Sequence, residues 1–113
     1  MRASEFNKIL SSRLEKTRAT LGTKAREYAM DDRLHNFRIA ALVNGTTAPH
    51  ALWGMATKHL VSIMDIIEGR KPNIKVLVEE KIGDLVNYLI LLEAILQEDR
   101  EGKEGKEGED RNG

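Results

Sequence analysis

The chain has 113 residues, 41% of them hydrophobic and 32% charged, a length and balance that suit one globular domain and exclude a disordered polyelectrolyte. Lysine plus arginine equals aspartate plus glutamate at 18 each, so net charge selects no partner. There is no cysteine, which excludes disulfides and thiolate metal sites, and no apolar run approaches the roughly 18 to 20 residues of a membrane span.

Met1 to Phe6 lack the apolar stretch of a secretory signal, so a cytoplasmic protein with no membrane partner is expected. Four helices and no strand are predicted, because no segment keeps a period-two alternation over a useful length. The first helix opens near Ser4, a good N-cap, and carries Leu10, Leu14, Thr17, Leu21, Ala25 and Tyr28 at helical spacing. Gly22-Thr23 can break it, leaving one long helix or two pieces. The first forty residues lean basic through Arg2, Lys8, Arg13, Lys16, Arg18, Lys24, Arg26, Arg33 and Arg38. Such a half can attract phosphates, although a solvated helix face is the simpler expectation. Nucleic acid is not an expected partner, since the chain has no RNP motif, zinc-finger spacing or basic-aromatic interleaving.

Met30-Asp31-Asp32 supplies an acidic cap for a second helix from Arg33 to Val43, and Asn44-Gly45 stops it by tolerating a left-handed backbone. A third helix starts around Thr47, with Pro49 in its first turn, and runs to Glu68 before Gly69 and Pro72 end it. About five residues then lead to a fourth helix, Ile74 to roughly Gln97. So short a link makes the last two helices antiparallel neighbours. Residues 1–97 therefore read as a single helical domain. From Glu98 onward only Glu, Asp, Lys, Arg, Gly and Asn remain, so residues 98–113 are expected to be a charged, disordered tail.

The fourth helix carries an unusual constellation. At about 100° per residue, Asp84 falls about 40° from Glu80, Asn87 about −20° and Leu91 about 20°, so the polar residues form a line on a helix that is otherwise apolar nearly all round. Apolar character on all sides of residues 85–96 predicts burial on most faces and a homo-oligomer. Partly buried carboxylates need cations, hydrogen bonds or a metal. Folding the hairpin about residues 71–72 brings Asp84 level with about His59, and Glu80 with about Ser62 or Ile63, while Lys58 and Asp65 share an adjacent face. Read singly, each residue has a plain structural explanation: His59 as a hydrogen-bonded core residue, Glu80 and Asp84 as salt-bridge partners, Asn87 as a register-fixing amide. Carboxylate and amide oxygens suit Mg²⁺ or Mn²⁺, which keep waters and grip phosphates. Glu80 and Asp84 are thus the candidate metal ligands. Zinc is not expected, since His35, His50 and His59 share no obvious face.

The stretch from Tyr28 to Phe37 is the second unusual segment. A helix start binds phosphate, Arg33 and Asn36 add donors, and Tyr28 or Trp53 offers a ring on which a base can stack. Leu34 and Phe37 read as core.

The segments Lys24-Ala-Arg-Glu-Tyr28, Asp32-Arg-Leu-His-Asn-Phe37, Lys58-His-Leu-Val-Ser-Ile63 and Glu79-Glu-Lys-Ile-Gly-Asp-Leu-Val-Asn-Tyr88 resemble small phage and prophage proteins. Those proteins are related to the nucleotide-modification-associated family and, more distantly, to the all-α MazG-like nucleoside triphosphate pyrophosphohydrolases. The resemblance spans about residues 24 to 96. It implies a four-helix, MazG-like bundle, usually dimeric, that uses Mg²⁺ to split a nucleoside triphosphate. The family holds its metal in a Glu-Glu-x-x-Glu motif on one helix and a Glu-x-x-Asp motif on the next. This chain has Lys58, His59 and Asp65 at the first place. At the second, Glu80 precedes Asp84 by four residues, with Lys81 following Glu80.

The expected function is phage-type nucleotide binding in the host cytoplasm, with Tyr28, Arg33, Asn36, Trp53, Lys58, His59 and Asn87 as nucleotide-binding candidates. No residue is assigned a catalytic role. The alternatives are a Mg²⁺-dependent pyrophosphohydrolase, a non-catalytic sponge for a signalling nucleotide, and a helical adaptor that blocks a host defence protein.

Overall fold

Helix α1 (Ala3–Leu21) begins one residue ahead of the expected cap, with Arg2 at the N-cap position and its N–H donated to the Glu5 carboxylate at 3.4 Å. The computed structural model describes residues 1–22 and 32–112, with side chains through residue 102, so the Tyr28 and Asp31 expectations lie outside the described residues. α1 ends at Gly22, where the sequence offered a break.

α2 (His35–Asn44) starts two residues later than predicted because Asp32, ahead of it, closes a turn by accepting the Leu34 N–H at 2.9 Å. It stops at Gly45, whose φ of 63° lets the Thr46 N–H reach back to the Ala41 carbonyl at 2.9 Å. α3 (Ala48–Ile67) has Thr47 as its N-cap, accepting the His50 N–H at 3.3 Å, with Pro49 in the first turn. Thr47→Ala is expected to cost about 1 kcal/mol, measured as a lowered midpoint in chemical unfolding. A second left-handed glycine, Gly69, turns the chain after α3.

The last rod has three parts: α4 (Ile74–Val76), a π-helical turn (Leu77–Lys81) and α5 (Ile82–Asn112). Asn73 caps it by accepting the Val76 N–H at 3.2 Å. With α1, α2 and α3 this makes an all-α fold of four rods and no strand among the described residues. No helix of these residues is long and apolar enough to cross a membrane.

α3 packs against α5 and α2 against α3. Leu34, Phe37 and Ala41 from the α2 region, Ala48, Leu52 and Ala56 from α3, and Ile95 from α5 form the buried core. The i, i+4 spacing of Ala48, Leu52 and Ala56 puts small and large side chains on one stripe, so α3 and α5 approach closely at the alanines. Met55, Leu85, Tyr88, Leu91 and Leu92 seal its edges.

One expectation needs correction. α1 contributes no buried residue, and its stripe residues Leu10 and Leu14 remain 47% and 49% exposed. Leu89, Ile90 and Leu96 of α5 stay exposed in the single chain. α5 continues past Gln97 as helix. There Arg38 of α2 grips Glu98 at 2.8 Å and Asp99 at 2.9 Å, and Gln97 donates to Glu101 one turn on. Those ties, with the good helix propensity of Glu, Lys and Arg, carry the helix beyond its last apolar residue. Burial tends to lower the Arg38 pKa, but hydrogen bonds and attraction from Asp99 and Glu98 outweigh it and raise the pKa.

Candidate functional site

The π-helical turn sets the site. Its wider backbone loop changes the phase of the rod just where Glu79 and Glu80 sit, so both carboxylates come round to the side facing α1. Asp84 and Asn87 continue that line one and two turns on. Together with Gly83 and with Arg13, Lys16, Thr17 and Thr20 of α1, they line a cleft of about 210 Å³.

Two interactions fix the geometry. Arg13 donates to the Val78 carbonyl at 3.3 Å, laying its guanidinium across Gly83. A Cβ at position 83 would meet Arg13 Nη1, so a side chain there would push the guanidinium from its present place. From the other side, His59 of α3 brings Nδ1 to 3.6 Å from Asp84 Oδ2. That spacing permits electrostatic attraction when the imidazole is protonated but is too long for a hydrogen bond. The His59 ring also leans on Tyr88, with centroids 5.1 Å apart.

Three buried polar atoms here have no hydrogen-bond partner among the described residues: Thr17 Oγ1, His59 Nδ1 and Asn87 Oδ1. Buried polar groups are nearly always paired, and orphans concentrate where a ligand or water completes them. In this chain all three gather around the Asp84 turn.

The hairpin register thus brings together His59, Glu80, Asp84 and Asn87, while the other predicted residues are dispersed. Lys58 is exposed, and the Ser62 hydroxyl donates to its backbone carbonyl. Asp65 pairs with Arg70 at 3.2 Å. Trp53 is 48% exposed and lines none of the cleft. Arg33 donates to the Leu21 carbonyl at 2.8 Å and closes the end of α1. Asn36 is exposed in the first turn of α2, and the Asp32 carboxylate just ahead of that turn, accepting the Leu34 N–H, disfavours an anion there. Arg33 lines a separate hollow of about 490 Å³ with Asp32, Leu91 and Gln97. A larger hollow of about 620 Å³ is an open trough along α5 among Leu89, Leu92 and Leu96, away from His59 and Asp84.

No protein family, curated protein or solved structure matches this chain. The site therefore rests on its own chemistry. Arg13, Lys16, Thr17 and Thr20 were not singled out from the sequence as a group. Their i, i+3, i+4 and i+7 spacing put one polar stripe on α1, but nothing in the sequence said that this stripe meets the Asp84 line.

Proposed function

We propose that the chain is a phage-type nucleotide-binding protein whose ligand sits in the cleft between α1 and the last rod, against Asp84 and Asn87. The observation that carries this reading is the orphaned Asn87 Oδ1, buried beside a carboxylate line and two cationic side chains. A buried amide without a partner costs stability, and a ligand hydrogen bond would recover it. The resemblance to MazG-like proteins supports the same ligand class and a place in the host cytoplasm.

Glu80 and Asp84 offer hard oxygen donors of the kind Mg²⁺ takes. Among the described residues no three His, Asp or Glu side chains converge on a metal position, so the fit is to an ion whose shell is completed by the ligand's phosphate oxygens and water. Such an ion would supply neutralisation of phosphate charge. His59 of α3 lies 3.6 Å from the Asp84 carboxylate, and the Asn87 amide can both donate to and accept from a ligand. Two carboxylates favour binding over the pyrophosphohydrolase reading. Binding without turnover is the behaviour of a sponge for a signalling nucleotide. The exposed Leu89, Ile90 and Leu96 of α5 suit a second copy of the chain or, in the adaptor reading, a host protein.

Calorimetric titration with a panel of nucleotides and Mg²⁺ tests the proposal. Asp84→Asn is expected to weaken binding at least tenfold with the unfolding midpoint little changed. Absence of binding by every nucleotide would sink it, and Mg²⁺-dependent pyrophosphate release would promote the hydrolase instead.

A further inference from the structure

The cleft has a wall that the carboxylate line alone does not explain. α1 buries no side chain in the core, yet it presents Arg13, Lys16, Thr17 and Thr20 to the Asp84 line. Resting on the nucleotide reading above, we propose that Arg13 and Lys16 hold the phosphate chain of the ligand, with the nucleoside left outside the cleft.

Three observations lead there. First, the space is small. At about 210 Å³ it falls below the roughly 300 to 1,000 Å³ of pockets that enclose a drug-sized ligand, so it accommodates a phosphate chain rather than a whole nucleotide. Second, the donors converge. Arg13 presents a planar fork suited to phosphate oxygens, Lys16 adds a mobile ammonium, and the Thr17 hydroxyl, without a partner among the described residues, lies one turn after Arg13 on the same face. Arg13 lies over Gly83, and among the described residues its hydrogen bond across the cleft is a 3.3 Å donation to the Val78 carbonyl. Third, the charges set a condition. Arg13 and Lys16 face Glu79, Glu80 and Asp84, two positive charges against three negative, a balance of −1. A bare anion meets the carboxylates unscreened, whereas a divalent ion on the phosphate chain can face Glu79, Glu80 and Asp84 while the phosphate oxygens face Arg13 and Lys16. The ligand class is a phosphate chain of two or more units in complex with a divalent ion.

Inorganic pyrophosphate is the probe, titrated into the full chain with Mg²⁺ and again with a chelator. It is expected to bind only with Mg²⁺, to compete with any nucleotide that binds, and to lose at least tenfold in affinity in Arg13→Gln and several-fold in Lys16→Gln. Nucleosides lacking phosphate are expected not to bind. Circular dichroism checks that both variants keep their helices, and exposed Lys16 preserves the test should Arg13→Gln loosen α1. If nucleotides bind but pyrophosphate does not compete, or both variants bind like the parent, the assignment of Arg13 and Lys16 is overturned while the nucleotide reading stands. If Mg²⁺-pyrophosphate binds through these residues and no nucleotide does, the nucleotide reading falls and the phosphate-chain assignment survives. If neither binds, both fall.

Discussion

Leu52→Ala is expected to destabilise the protein by about 2 to 5 kcal/mol, the largest stability effect of any substitution proposed for this chain. Leu52 and Ile95 are the two large side chains with no exposed surface, and they meet where α3 crosses α5 beside Phe37 of α2. Three of the other four α2 and α3 residues around them are alanines, Ala41, Ala48 and Ala56, which cannot swing over to fill the hole. Small domains have only about 5 to 15 kcal/mol of stability, so the loss takes up a large share of it. Urea unfolding followed by circular dichroism gives the value. A cost below about 1 kcal/mol would mean that the three-helix junction is loosely packed and can collapse.

Asn87→Leu is expected to act in opposite directions on stability and on binding. Leucine removes the orphaned buried oxygen while keeping a side chain of similar bulk, which should raise unfolding stability by about 1 to 2 kcal/mol. The same change removes the hydrogen-bonding amide from the cleft, and nucleotide affinity should fall by tenfold or more. A residue retained at a cost to the empty protein is the mark of a ligand site. If Asn87→Leu lowers stability instead, the amide has a structural partner and the proposed site loses its main support. Thermal unfolding and calorimetry on one preparation read both effects.

Much of the scaffold is local chemistry and could be read from the chain. Thr47 with Pro49, Gly45, and Gly69 with Pro72 each act within a turn of themselves, and the structure places the α3 start and both stops at those residues. The short link between α3 and the last rod was enough to bring His59 opposite Asp84. Longer-range features were not legible. Arg13 and Val78 lie 65 residues apart, and no spacing rule says that an exposed arginine will lie over a particular glycine. The π-helical turn escaped the helical wheel, which assumes a constant angle per residue. For that reason the wheel did not place Glu79 beside Glu80 on the wall of the cleft. Apolar periodicity ends with Leu96, so it carried no signal for the ties of Arg38 to Glu98 and Asp99.

The absence of buried residues on α1 has a consequence for how binding relates to folding. Every core side chain from Leu34 to Ile95 lies outside the first helix, so one wall of the cleft can lift away without opening the core. Such an excursion is a local opening whose free energy is far below that of global unfolding. Occupancy of the cleft and integrity of the fold are then governed by largely separate sets of residues, and selection can retune the grip of Arg13 and Lys16 without putting the helical scaffold at risk.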